Sequence, residues 1–98
     1  MQKFSNKQKL NKTNIAKVPE DKAIVYKIKS ENGKNLYTGI AGRGRGQDRL
    51  LEHKEVDGEK IPGGQCFSFA QVKNKEEAKK LEKKIIREER PKYNEQGE

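Results

Sequence analysis

Apolar residues in this chain come in clusters separated by polar runs, and the spacing inside each cluster selects its element. The first sustained pattern starts at Ile24. Ile24, Tyr26 and Ile28 fall on one side of an extended chain and Val25, Lys27 and Lys29 on the other, which is the period-2 alternation of a strand. Asn32-Gly33 then suits the positive φ angles of a two-residue hairpin turn, and Asn35 to Ile40 reads as the return strand. "AGRGRGQD" is a glycine-rich loop, after which Asp48 serves as N-cap for a helix through about Val56. "DGEKIPGG" is a second loop and "QCFSFAQV" a short, aromatic third strand. From Lys75 to about Glu89, Ala78, Leu81, Ile85 and Ile86 recur at helical spacing, and Pro91 stops the helix. No internal repeat interrupts this order. Strand, strand, helix, strand, helix predicts a small α+β fold with a mostly antiparallel three-stranded sheet flanked by helices.

The start of the chain, "MQKFSNKQKLNKT", is polar and lysine-rich without an apolar period, so residues 1–14 read as a basic, flexible arm able to touch phosphates. Ile15 and Val18, just before Pro19, form a short apolar lead-in that docks on the domain. The domain is expected over residues 15–94, with 95–98 as a tail. A chain of 98 residues fits one compact domain.

Composition narrows the function classes. Hydrophobic residues make up 30% and charged residues 39%, so the core is small and the surface densely charged. A net charge of +8 and a pI near 9.6 predict attraction to a polyanion, most simply nucleic acid. A lysine-rich surface that serves only solubility carries the same charge. Cys66 is the single cysteine, which excludes an intrachain disulfide. Together with His53, the single histidine, it falls short of a Cys/His zinc site. No stretch approaches the roughly 20 apolar residues of a membrane span, and no secretory signal opens the chain. The expectation is a soluble, cytoplasmic protein with no membrane contact.

The candidate chemistry starts in the hairpin. With Glu31 facing Lys34 across the turn, Tyr26 lies opposite Gly39 and Ile28 opposite Tyr37, all on one face with the two phenols in diagonal positions. Gly39 leaves open space beside the Tyr26 ring. Two hydroxyls aimed into a shared concavity satisfy this spacing, and so do two aromatics capping a core, which is the commoner outcome. Arg49 and His53, four residues apart, share a helix face, an ordinary solvated pair unless that face meets the tyrosines. Glu82 is the sharper anomaly. At about 100° per residue it falls inside the apolar stripe, between Ala78 and Ile86. A carboxylate there is costly to desolvate unless a cation, a metal or donors meet it; a rim position beside solvent or a lysine relieves the same cost. Glu89 lies near the stripe too, at the fraying end where water can reach it.

Taken together these residues resemble the GIY-YIG nuclease family. "IVY" at Ile24–Tyr26 stands at the first signature triplet and "YTG" at Tyr37–Gly39 at the second. "RLLEH" resembles the family's arginine followed four residues later by a second polar catalytic group. "AKKLEKKIIREERPKYN" is similar to its helix with a metal-binding glutamate followed by proline and asparagine. The resemblance spans about Ile15 to Asn94. It implies that Tyr26 orients or deprotonates the attacking water, a role that calls for a lowered phenol pKa. It places Tyr37 beside the scissile phosphate, and Gly39 where backbone and substrate approach closely. It also implies that Arg49 binds that phosphate, that His53 assists proton transfer or holds the nucleophile, and that Asn94 braces the site. Glu82 would bind a divalent metal, magnesium with manganese as a substitute. Ile24 and Thr38 depart from the signature at positions that supply no catalytic side chain. Arg43 and Arg45 are expected to contact nucleic-acid phosphates, the alternative being a merely solvated loop.

The activity implied is metal-dependent hydrolysis of DNA phosphodiesters; the alternative is a non-catalytic nucleic-acid-binding module of the same fold. Specificity would be low, follow DNA structure, or come from a partner protein or a homodimer, and these readings stay open.

Overall fold

The computed structural model describes residues 4–55 and 60–94. The elements run β1 (Gln8–Lys9), α1 (Lys12–Ile15), β2 (Ala23–Lys29), β3 (Asn35–Ala41), α2 (Gly46–Glu55), β4 (Cys66–Val72) and α3 (Lys75–Glu89). One antiparallel sheet has the order β1-β4-β2-β3. The α+β class and the antiparallel pairing are as predicted, with a short fourth strand added at the edge. Among the described residues, no helix is long and apolar enough to cross a membrane.

Period-2 alternation along β2 divides the core in two. Ile24, Tyr26 and Ile28 point to one face and pack with Ile15, Val18, Ala41, Leu50 and Phe67, under α1 and α2. Ala23 and Val25 point to the other and pack with Val72, Ala78 and Ile85, under α3. The 15-residue α3 is the element most legible in the sequence. Asn74 caps its start by accepting a hydrogen bond from the Glu77 N–H, and Arg90 ends it in the left-handed region at φ 46°, immediately before the buried Pro91.

The structure corrects three expectations and adds to a fourth. First, the described part of the N-terminal segment is not a free arm. The Ser5 N–H bonds to the Phe69 carbonyl at 2.7 Å, and β1 pairs Gln8 with Phe67 and Lys9 with Cys66. These bonds cover the outer edge of β4, which would otherwise stay open to further pairing. Asn11 then caps α1 through the Asn14 N–H at 2.8 Å. Met1 to Lys3, Val56 and the tail at 95–98 lie outside the described residues.

Second, the hairpin turn is not a two-residue turn. Only Gly33 takes a positive φ, 93°, and Asn32 does not. Ser30 pairs with Lys34 through its N–H at 2.9 Å, so Glu31 to Gly33 form a three-residue loop. That shift by one residue pairs Lys29 with Asn35, and Leu36 then bulges out of the ladder. The bulge reverses the shift, so Ile28 faces Tyr37 and Tyr26 faces Gly39, the register predicted from a different turn. Third, α2 begins at Gly46, leaving Asp48 in its first turn rather than at the cap, where its charge complements the helix dipole and meets Arg45 at 3.9 Å. Fourth, Glu89 is open to water as expected but is also held by fixed partners. It pairs with Lys27 at 2.9 Å and accepts from Asn35 at 2.9 Å.

Candidate active site

Tyr26 occupies the middle of β2, the central pairing partner of both neighbours, and is completely buried. Its ring lies across Gly39 on β3. A Cβ built on Gly39 would sit 2.5 Å from the Tyr26 hydroxyl and 3.0 Å from the Tyr37 ring. The gap expected beside the ring is therefore filled by the phenol itself. Glycine here makes room for the Tyr26 ring.

Placement of α2 brings the next residues to that phenol. Leu50 is buried in the cluster around Ile24, and the Gln47 side chain donates to the Val18 carbonyl at 2.8 Å and the Ala16 carbonyl at 3.2 Å. With α2 held this way, Arg49 and His53 face the sheet one turn apart. The His53 Nε2 lies 2.8 Å from the Tyr26 hydroxyl. Its imidazole centroid is 5.5 Å from the Tyr26 ring and 4.9 Å from the Tyr37 ring, while the two phenols are 6.3 Å apart. His53 is 4% exposed, so the solvated-surface reading of the Arg49–His53 pair is excluded by burial.

The Arg49 cation acts electrostatically on the Tyr26 oxygen and pairs with Glu52 at 2.6 Å. Partial burial works against its charge, but Tyr26 and Glu52 outweigh that and hold the guanidinium above its ordinary range. Between Tyr26 and His53 the direction of the hydrogen bond follows the imidazole tautomer: Nε2 accepts the phenol's hydrogen when Nδ1 carries the ring proton, and donates to the phenol oxygen when Nε2 carries it. Burial pushes the Tyr26 phenol above its usual range, Tyr37 adds to that, Arg49 opposes it and Glu82 adds again. Arg49 lowers the phenol pKa as expected, but in the protein alone burial outweighs it, and Tyr26 is a neutral phenol at physiological pH.

Glu82 comes from the other layer. It is half-buried on α3, and its charge is felt at Tyr26, so α3 brings it toward the same site. Among the described residues no cluster of three or more His, Cys, Asp or Glu side chains gathers to hold a metal. A site with a single carboxylate ligand does fit magnesium, which keeps several waters and takes substrate phosphate oxygens as ligands. It does not fit a closed zinc site.

Asn94 acts as a surrogate strand at the open edge of β3. Its Oδ1 accepts the Thr38 N–H at 2.7 Å and its Nδ2 donates to the Thr38 carbonyl at 2.9 Å. It thus secures the backbone between Tyr37 and Gly39. Arg45 lines a groove of about 460 Å³ with Ile40, Ala41, Gly42, Arg49, Lys75 and Lys79, whereas Arg43 is exposed and lies outside that lining. Sequence reasoning passed over Glu52, Lys75 and Lys79. The two lysines had a usable signal, because they share the helical stripe of Glu82.

Residues 22–94 match the family model of the GIY-YIG catalytic domain, and the chain belongs to that family. Among solved structures it is similar to the GIY-YIG N-terminal endonuclease domain of UvrC from Thermotoga maritima. A point mutant bound to its catalytic divalent cation aligns at a TM-score of 0.70 and 30% identity, covering 83% of this chain and 90% of that one. The same domain bound to magnesium aligns at 0.69 and 30%, covering 83% and 91%. A comparison with curated proteins found no match.

Proposed function

We propose that this chain is a metal-dependent endonuclease that hydrolyses DNA phosphodiester bonds, with Tyr26, Arg49, His53 and Glu82 as its reacting groups. The observation that carries this reading is the buried hydrogen bond between Tyr26 and His53, with the Arg49 cation and a carboxylate on a separate helix acting on the same phenol. A structural tyrosine needs one partner; this one has a cation, an imidazole and a nearby carboxylate.

Because Tyr26 is neutral at rest, it works by exchange. Its oxygen takes a proton from the attacking water while its own hydrogen passes to His53 Nε2. Arg49 offsets negative charge as it develops, on the phenol oxygen and on the scissile phosphate, since its charge acts on Tyr26 and it also lines the groove. Tyr37 packs against the imidazole and keeps its Nε2 on the phenol. Glu82 would hold the magnesium ion, which when bound neutralises charge on the phosphoryl oxygens.

The test is incubation of the purified chain with magnesium and duplex, branched and single-stranded DNA. Cleavage is expected, with none after chelation and none above background for Glu82→Ala. Cleavage by Glu82→Ala equal to the unchanged chain would remove Glu82 from the site, and no cleavage of any DNA would sink the reading.

A further inference from the structure

The groove beside the site has a composition that the reacting groups do not explain. Four of its lining residues, Arg45, Arg49, Lys75 and Lys79, are cationic, and the rest are the apolar or small Ile40, Ala41 and Gly42. Its two walls come from different parts of the chain. One is the end of β3 with the loop into α2; the other is the first two turns of α3. Arg49 belongs to both the groove and the site, so the two are continuous.

We infer that this groove holds the backbone of a duplex DNA strand on one side of the scissile phosphate, with Lys75 and Lys79 as its phosphate contacts. This rests on the nuclease reading and names the substrate form that the reading leaves open. Lys75, Lys79 and Glu82 lie on one stripe of α3. At 1.5 Å per residue, Lys79 is displaced about 4.5 Å along the helix from Glu82 and Lys75 about 10 Å, so the lysines extend the path away from the carboxylate in steps suited to successive phosphates. Both lysines are exposed, so neither is needed for the core. No aromatic side chain lines the groove among the described residues. Proteins that hold unpaired strands supply aromatic platforms on which bases stack; a groove of cations and small apolar groups engages phosphates and leaves bases paired.

The experiment measures binding of a labelled 20-base-pair duplex, and of one of its strands, in metal-free buffer across a range of salt concentrations. The double variant Lys75→Ala, Lys79→Ala is compared with Lys80→Ala, Lys84→Ala, which removes the same charge from the other side of α3. The groove variant should lose about 2 from the slope of log affinity against log salt, about 1 per phosphate contact, and weaken all duplex sequences equally. The control should lose much less. Equal slope losses in the two variants, or tighter binding of the single strand than of the duplex, would overturn the inference. A selective slope loss in a chain that cleaves no DNA would keep the groove and discard the nuclease; cleavage with equal slope losses would keep the nuclease and discard the groove.

Discussion

The two faces of the sheet share one strand and differ in kind. Under α3, Ala23, Val25, Val72, Ala78 and Ile85 form an apolar layer, with its polar tie, Glu89 to Lys27 and Asn35, at the margin. Under α1 and α2 the layer is larger and has a polar cluster built into it, because Tyr26 carries its hydroxyl to His53 within the field of Arg49. Alternate residues of β2 serve the two purposes. A register slip of one residue would exchange them, which gives a reason for Leu36 to bulge where it does. The apolar face holds the sheet and α3 together so that the other face can keep a buried phenol between a cation and an imidazole. Glu82 belongs to α3 yet acts on Tyr26, and so links the two layers.

Gly39→Ala should disturb the polar face most. The new methyl group would overlap the Tyr26 hydroxyl, and the displaced ring should lose its alignment with His53. Cleavage is expected to fall by about 100-fold, and overpacking should cost about 1–3 kcal/mol by denaturant unfolding. A second substitution, Asn94→Ala, removes both side-chain bonds to Thr38. Its expected cost is about 1–3 kcal/mol, with faster hydrogen exchange at the Thr38 amide and no change in the exchange of α3.

The smallest effect concerns the other face. Burial works against the Glu89 carboxylate, but hydrogen bonds from Asn35 and Lys27 outweigh it and hold the group below its ordinary pKa of 4.5. Its contribution is therefore complete above that value and lost as the pH falls through the lower folded value. Glu89→Gln should lower stability by less than about 1 kcal/mol at neutral pH, and the difference should close in acid. A gap that persisted or widened below pH 4.5 would contradict this assignment.

The sequence made the apolar periods legible, and with them β2, β3, β4 and α3, because burial on one face dictates spacing. It also exposed Glu82, since a carboxylate inside an apolar stripe needs a reason. The hairpin loop and the N-terminal strand were not legible. Asn-Gly suits two loop lengths, and the choice between them depends on whether a bulge downstream can restore the register. Gln8 and Lys9 carry no apolar signal because an edge strand pairs through its backbone. The rise in the Tyr26 pKa was hidden for a related reason: it depends on how completely α2 closes over the phenol, which spacing does not reveal.

The central claim is that the Tyr26 hydroxyl, held between Arg49 and His53, moves a proton in phosphodiester hydrolysis. Single-turnover cleavage of duplex DNA by Tyr26→Phe, with DNA affinity measured alongside, tests it most directly. The ring and its packing remain and only the oxygen is lost, so the rate should fall by about 10²- to 10⁴-fold with affinity little changed. A rate within a few-fold of the unchanged chain would contradict the account and return Tyr26 to the core as a structural aromatic.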